Sequence, residues 1–315
     1  MLVASFVFLG FRWNHLRYRQ AALEYLRARN AILEHDKPAQ GAFEFSFSPI
    51  LGSDASVRLR SIDLSQANAN DVDLSLIAAF HELSSLNLQN GFVTDAGVSH
   101  LNKLTHLVSL NLAGSQLSDS GVLSLKLREL VNLDLSETRV GDRAVEHIAT
   151  WPSLNRVRLR STSTSDVALA QLTRLASLEE LDLSQTGAAS ETLQALGNHP
   201  RLNILHLEGC PISDDDLEYL AGNSTLEFLS LKGASVGDVG ISRLAENGSL
   251  NKLVLSSTRA TDRCLQALRP LTKLKLIEAE NTEISGAALE QFHHRHSKQR
   301  KPMPNSGADS AYLFR

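Results

Sequence analysis

A leucine-led pattern of apolar positions returns along most of the chain. With Leu59 as position zero, the same place is held by Leu83, Leu107, Leu130, Leu154, Leu178, Leu202, Leu226, Leu250 and Leu274, at intervals of 24 residues except one of 23. Position +3 runs from Ile62 to Ile277 and position +5 from Leu64 to Ala279, and every residue in both columns is apolar. With hydrophobic residues at 43% of the chain, thirty such positions arise by chance about once in 10¹¹. Positions +15 and +18, from Leu74/Ile77 to Leu289/Phe292, are apolar in every repeat as well. The leading L-x-x-L-x-L ends in period two and predicts a short strand with alternate residues buried. The i, i+3 spacing further on predicts one face of a helix.

Between strand and helix an Asp recurs at position +12: Asp71, Asp95, Asp119, Asp142, Asp166, Asp214, Asp238 and Asp262, with Ser190 and Gly286 as departures. A Ser or Thr often precedes it, as at Thr94, Ser118, Ser165, Ser213 and Thr261. This pair reads as a helix start, supplying side-chain oxygens for exposed N–H groups and negative charge at the positive helix end. One strand and one helix cannot bury their faces alone, so neighbouring repeats must stack. Parallel strands stand ~4.8 Å apart and helices ~10 Å apart, which bends the stack into an arc with strands inside. The expectation is an α/β solenoid of about ten repeats over residues 59–292, with a parallel sheet on the concave face.

The ends read differently. Residues 1–13, MLVASFVFLGFRW, are almost wholly apolar but too short for a bilayer core of ~30 Å, and suggest the back half of a membrane anchor. Residues 14–36 read as a basic amphipathic helix, stopped by Lys37-Pro38. Phe43, Phe45 and Phe47 alternate with polar residues, predicting a capping strand within residues 42–58. Residues 293–315 have the composition of a basic disordered tail.

The unit L-x-x-L-x-L-x-x-T-x-[IV]-[ST]-D-x-x-[LV]-x-x-L resembles the leucine-rich repeats, in their Thr/Cys-containing class. Thr138, Thr162, Thr186, Cys210, Thr258 and Thr282 hold position +8, where other classes carry Asn. Such repeats are similar to those of F-box leucine-rich proteins and of bacterial, planctomycete-type membrane-anchored proteins with this layout. The resemblance implies a protein-interaction scaffold. The truncated apolar segment departs from the bacterial layout, and residues 1–58 show no F-box pattern, so a ubiquitin-ligase role does not carry over. A rival reading is an adaptor or effector that recruits a partner enzyme.

Charge sharpens the picture. The net charge is −4, but residues 1–40 carry +3 and residues 293–315 carry +4, so residues 41–292 hold −11. An acidic body argues against nucleic acid as a partner. The two cysteines, Cys210 and Cys264, fall at different repeat positions and read as free thiols. With Arg12, Arg17 and Arg19 beside the apolar run, the expectation is a membrane-associated protein with repeats on the cytoplasmic side; the alternative is a soluble cytoplasmic one.

No phosphate loop, dinucleotide fingerprint, zinc ligand set or nucleophile elbow is present, so no cofactor and no enzyme activity is expected. Asp214-Asp215-Asp216 and the run His293, His294, His296 have side chains that can ligate a metal, but a helix start and a polar helix end explain them better. Positions +2, +4 and +6 face the concave side. Repeats one to four are small and polar there. The fifth carries Arg156, Arg158 and Arg160, beside Asp134, Glu180 and Asp182, so ladder ion pairs compete with ligand contacts. Towards the C-terminus the face turns apolar at Ile204, Phe228, Val254 and Leu276, with His206 among them. These eight residues, Arg156 to Leu276, are the candidate partner contacts.

Overall fold

The computed structural model describes residues 17–35 and 58–298. Its strands are β1 (Ile32–His35), β2 (Leu59–Asp63), β3 (Ser85–Asn87), β4 (Ser109–Asn111), β5 (Asn132–Asp134), β6 (Arg156–Arg158), β7 (Glu180–Asp182), β8 (Ile204–His206), β9 (Phe228–Ser230), β10 (Lys252–Val254) and β11 (Leu276–Glu278). They form one sheet in chain order. From β2 onward every pair is parallel with no slip, so Leu86, Leu110 and Leu133 stand side by side. The leading leucines and positions +3 and +5 are buried throughout, apart from the half-buried Ala279 in the last repeat. Helices or helical turns supply the other wall of the core through positions +15 and +18.

The Asp column does more than start helices. The preceding Ser or Thr caps its own helix: Thr94 accepts from the Ala96 N–H and Ser165 from the Ala168 N–H. The Asp carboxylate reaches forward to the next repeat and holds that cap. Asp71 takes the Thr94 N–H at 2.9 Å and its Oγ1 at 2.7 Å. Asp238 does the same for Thr261, and Asp262 for Ser285. Position +14 of the following repeat leaves room for it at three places: a Cβ on Gly97, Gly121 or Gly240 would run into the preceding Asp.

Where the column breaks, the fold repairs it. Ser190 stands in place of an Asp, and position +14 of the following repeat is Asp216, which fills the vacated space. Asp216 accepts from the Ser190 hydroxyl and takes the Ser213 N–H at 2.8 Å and Oγ at 2.7 Å. The first repeat has no predecessor, and there Asp73 accepts the Asn70 N–H at 2.7 Å in a capping box.

Two further columns were not visible as such in the sequence. Position +7 adopts φ between +55° and +72° in nine successive repeats, Asn90 to Asn281. Only Gly114, Gly209 and Gly233 are glycines there, so the turn imposes a left-handed residue that the sequence does not advertise. After the helices, His199, Asn223 and Asn247 are buried in equivalent places and do one job. Asn223 donates to the Gly197 carbonyl at 2.8 Å and accepts the Leu226 N–H at 2.7 Å. His199 accepts the Leu202 N–H on Nδ1 at 3.1 Å, so its proton sits on Nε2, 3.1 Å from the Leu175 carbonyl oxygen.

The ends depart from expectation. The helix expected over residues 14–36 is helical over 17–28 in its described part; Asn30 then turns at φ +60° and Ile32–His35 forms β1. Pairing wins over helix propensity, because β1 lies antiparallel on the otherwise open edge of β2. The 17–28 helix buries Ala22, Leu23 and Leu26 against the core, and Arg29 donates to the Ala67 and Asn68 carbonyls at 2.6 and 3.0 Å. The stack is therefore capped by residues 17–35. The expected Phe43–Phe47 strand and the apolar residues 1–13 lie outside the described residues. At the other end, helix Gly286–Lys298 runs into the stretch expected to be a disordered tail. Phe292 is buried beneath it, and His293 Nε2 accepts the Ile277 N–H of the last strand at 3.1 Å.

Candidate functional site

The sheet face away from the helices presents positions +2, +4 and +6. In β2 to β5 it is a polar comb held by its own backbone. Asp63, Asn87, Asn111 and Asp134 each accept the N–H two residues on, at 2.8 to 3.1 Å, and Asp182 in β7 does so at 2.9 Å. This local turn chemistry explains the run of Asp and Asn at +4 without a ligand.

The arginines Arg156 and Arg158 of β6 and Arg160 just after it are paired inside the protein. Arg158 donates to Glu180 Oε1 from Nη2 at 2.6 Å and from Nε at 3.2 Å, and lies 3.9 Å from Asp134. Arg156 approaches the other Glu180 oxygen at 3.4 Å. Glu180 is only 7% exposed, so its charge depends on these partners. Arg160 reaches two repeats onward to Glu208 at 3.2 Å, a pairing the sequence reading missed because it considered adjacent strands only. In the intervening repeat Ser184 is fully buried, and its hydroxyl has no partner.

Further along, one row crosses the strands in register: Ile204, Phe228, Lys252 and Leu276. Ile204 and Phe228 are half-buried, and Leu276 is 39% exposed. Val254, expected to join them, is 7% exposed and offers little to a partner; it stands in register between Ser230 and Glu278. The Phe228 ring lies 4.8 Å from the His206 ring, with Lys252 Nζ 5.4 Å above it on a salt bridge of 2.6 Å to Glu278. The aromatic anchor is thus held by a histidine and by a lysine that sequence reasoning had not put in the site. Between the comb and this row lies a shallow groove of about 360 Å³, which Asp134, Arg158, Arg160, Asp182 and His206 help to line.

Other candidates dissolve into structure. Asp214 receives the Gly237 N–H, Asp215 pairs with Arg243, and Asp216 holds Ser213. Among the described residues no group of three or more His, Cys, Asp or Glu side chains could hold a metal ion. Both cysteines are buried. Burial pushes the Cys264 thiol up to about 12, with Asp238 and Asp262 adding to the effect. Cys210 is also raised by burial.

With this geometry in view, the chain can be compared with known proteins. A family model described as Leucine Rich repeat matches residues 103–126, 199–221 and 222–245. An internalin, inlF, from Listeria monocytogenes has 22% identity and a TM-score of 0.51, covering 70% of this chain and 68% of its own. The fold is a leucine-rich-repeat solenoid. The leucine-rich-repeat ectodomain of the Arabidopsis receptor kinase HAESA, solved with an IDA peptide hormone, aligns at 19% identity and a TM-score of 0.57. That alignment covers 86% of this chain and 46% of the receptor's, so the solenoid spans under half the length of that relative. The curated proteins give no match.

Proposed function

We propose that this solenoid is a non-catalytic scaffold that binds a protein or peptide across its concave face, centred on β7 to β11. The observation that carries the proposal is Phe228. It is a half-exposed aromatic in register with Ile204 and Leu276, propped by His206 and Lys252 on a face whose other rows are polar. Apolar and aromatic groups fixed before binding lose little entropy on contact, and such residues dominate interfaces. The HAESA ectodomain, of the same fold, holds a peptide. The Thr138, Thr162, Thr186 and Thr258 hydroxyls each close their own strand turn at 2.6 Å, in keeping with the Thr/Cys-containing class.

The test compares partners retained by the wild-type chain, Phe228→Asp, and Val72→Asp on the helix Asp71–Ile77, where Val72 is exposed. Phe228→Asp should lose the specific partner and Val72→Asp should keep it; equal retention by both would reject the reading. The proposal includes tethering through residues 1–19. Among the described residues no helix is long and apolar enough to cross a membrane. Fractionation of the full chain against one starting at Asn14 tests the tether, and both in the soluble fraction would remove it.

A further inference from the structure

The charge on the concave face has a sign that the sequence conceals. Three arginines on one strand suggest a site for an anion, yet each is already committed. Arg156 and Arg158 share Glu180, and Arg160 holds Glu208. An incoming carboxylate would have to displace a fixed, partly desolvated one at each of them, at little net gain.

Not every carboxylate is so committed. The groove between the comb and the Phe228 row is lined by Asp134, Glu137, Glu180 and Asp182 against Arg158 and Arg160, a net charge of −2 with His206 neutral. Asp182 stands out. No cation lies within ion-pair distance of it among the described residues. Its Oδ1 takes the Ser184 N–H at 2.9 Å, which leaves Oδ2 to a partner. Its neighbours in register are Arg158, engaged with Glu180, and His206, stacked on Phe228.

We infer that the partner is an extended basic segment that seats a Lys or Arg side chain on Asp182 and an apolar side chain against Phe228. This rests on the reading of the concave face as the binding surface and names the chemistry of what binds. Spacing follows from the fold. Asp182 on β7 and Phe228 on β9 are two strands apart and two residues out of register, about 12 Å on the diagonal at ~4.8 Å per strand and ~3.3 Å per residue. An extended chain advances ~3.3 Å per residue and alternates its side chains, so the cation and the apolar residue should lie about four positions apart, on one face of the segment. Attraction to the −11 of residues 41–292 would steer such a segment in from a distance.

The variant that tests this is already written into the fold: Asn holds the place of Asp182 at Asn87 and Asn111, where it accepts the same backbone N–H. Asp182→Asn therefore removes charge and keeps the turn. Peptides selected from a displayed random library on the full chain would be synthesised and titrated by fluorescence anisotropy. The titrations would use wild type, Asp182→Asn, Phe228→Ala and the helix-side control Val72→Ser. Selected peptides should carry Lys or Arg about four positions from a large apolar residue. They should bind Asp182→Asn about two- to fivefold more weakly, lose affinity with added salt on wild type more than on Asp182→Asn, and ignore Val72→Ser. Acidic peptides, or basic ones indifferent to Asp182→Asn, that still need Phe228 would overturn the inference and leave the scaffold reading standing. Peptides indifferent to Phe228→Ala would overturn both.

Discussion

The Asp142 carboxylate holds both donors of Ser165, the backbone N–H and the Oγ, each at 2.7 Å, while Ser165 caps the helix that begins at Asp166. Apart from the first repeat and the one that follows Ser190, helix starts are thus clamped by the repeat before them. Asp142→Ala should lower stability by about 1–2 kcal/mol, at the upper end for a lost cap because two donors are orphaned together. Ser165→Ala on that background should add less than it does alone, since the two share one network. Urea unfolding of both single variants and the double checks this; strict additivity would contradict it.

Asp166 is the most heavily loaded of these carboxylates, accepting from Ala189, Glu191 and Thr192. Burial works to raise its pKa, but the Thr192 hydroxyl and the backbone donors together bring it below the ordinary range. A lowered carboxylate contributes stability in full above its unfolded value, ~3.9, and loses it as pH falls through the folded one. The stability gap between wild type and Asp166→Ala should therefore be widest near neutral pH and shrink as pH falls through the lowered folded-state value. A gap that persisted unchanged at pH 2 would contradict this.

His199 gives the opposite end of the acid response. Burial lowers its pKa, and the Leu175 carbonyl offsets this only in part. Its Nδ1 must stay bare to accept the Leu202 N–H. The stability it contributes is whole above about pH 6.5 and is lost as pH falls through its lowered value. His199→Asn, which copies Asn223 and Asn247, should fold and show a smaller fall in Tm between pH 7.5 and pH 5 than wild type. An unchanged fall would assign the effect to other groups.

How much of this was legible depended on whether a residue's partner lay one repeat away in a repeating column. The apolar columns could be read because each residue type recurs at a fixed spacing and burial on both sides leaves no alternative. Pairing of Arg158 with Glu180 was visible as adjacent-strand charge, whereas Arg160–Glu208 spans two repeats and has no periodic signal. Asp142 was recognisable as a helix-start residue, but its reach to Ser165 requires knowing which atoms of the next repeat stand beside it. The turn at Asn30 was hidden because helix propensity is local, while the pull of the open β2 edge on Ile32–His35 is not. Val254 alternates correctly with the buried Leu253 and Leu255, yet alternation says nothing of how its row neighbours cover it.

Cys210 and Cys264 should be inert in the folded chain, since burial raises both thiols far from the thiolate. A thiol reagent at pH 8 should modify neither within the time that unfolded protein reacts at both. Rapid native labelling of either would mean that its repeat opens far more readily than the packing implies.

Those silent cysteines permit the most direct measurement of the central claim, that the concave face around Phe228 is where the partner sits. Lys232→Cys places one exposed thiol beside that row, and Val167→Cys places one on the first turn of an outer helix. Each would be labelled with an environment-sensitive fluorophore and titrated with the partner or a selected peptide. The account expects a saturable response from position 232 and none from 167. A response at 167 with none at 232 would put the binding surface on the helical side and contradict it.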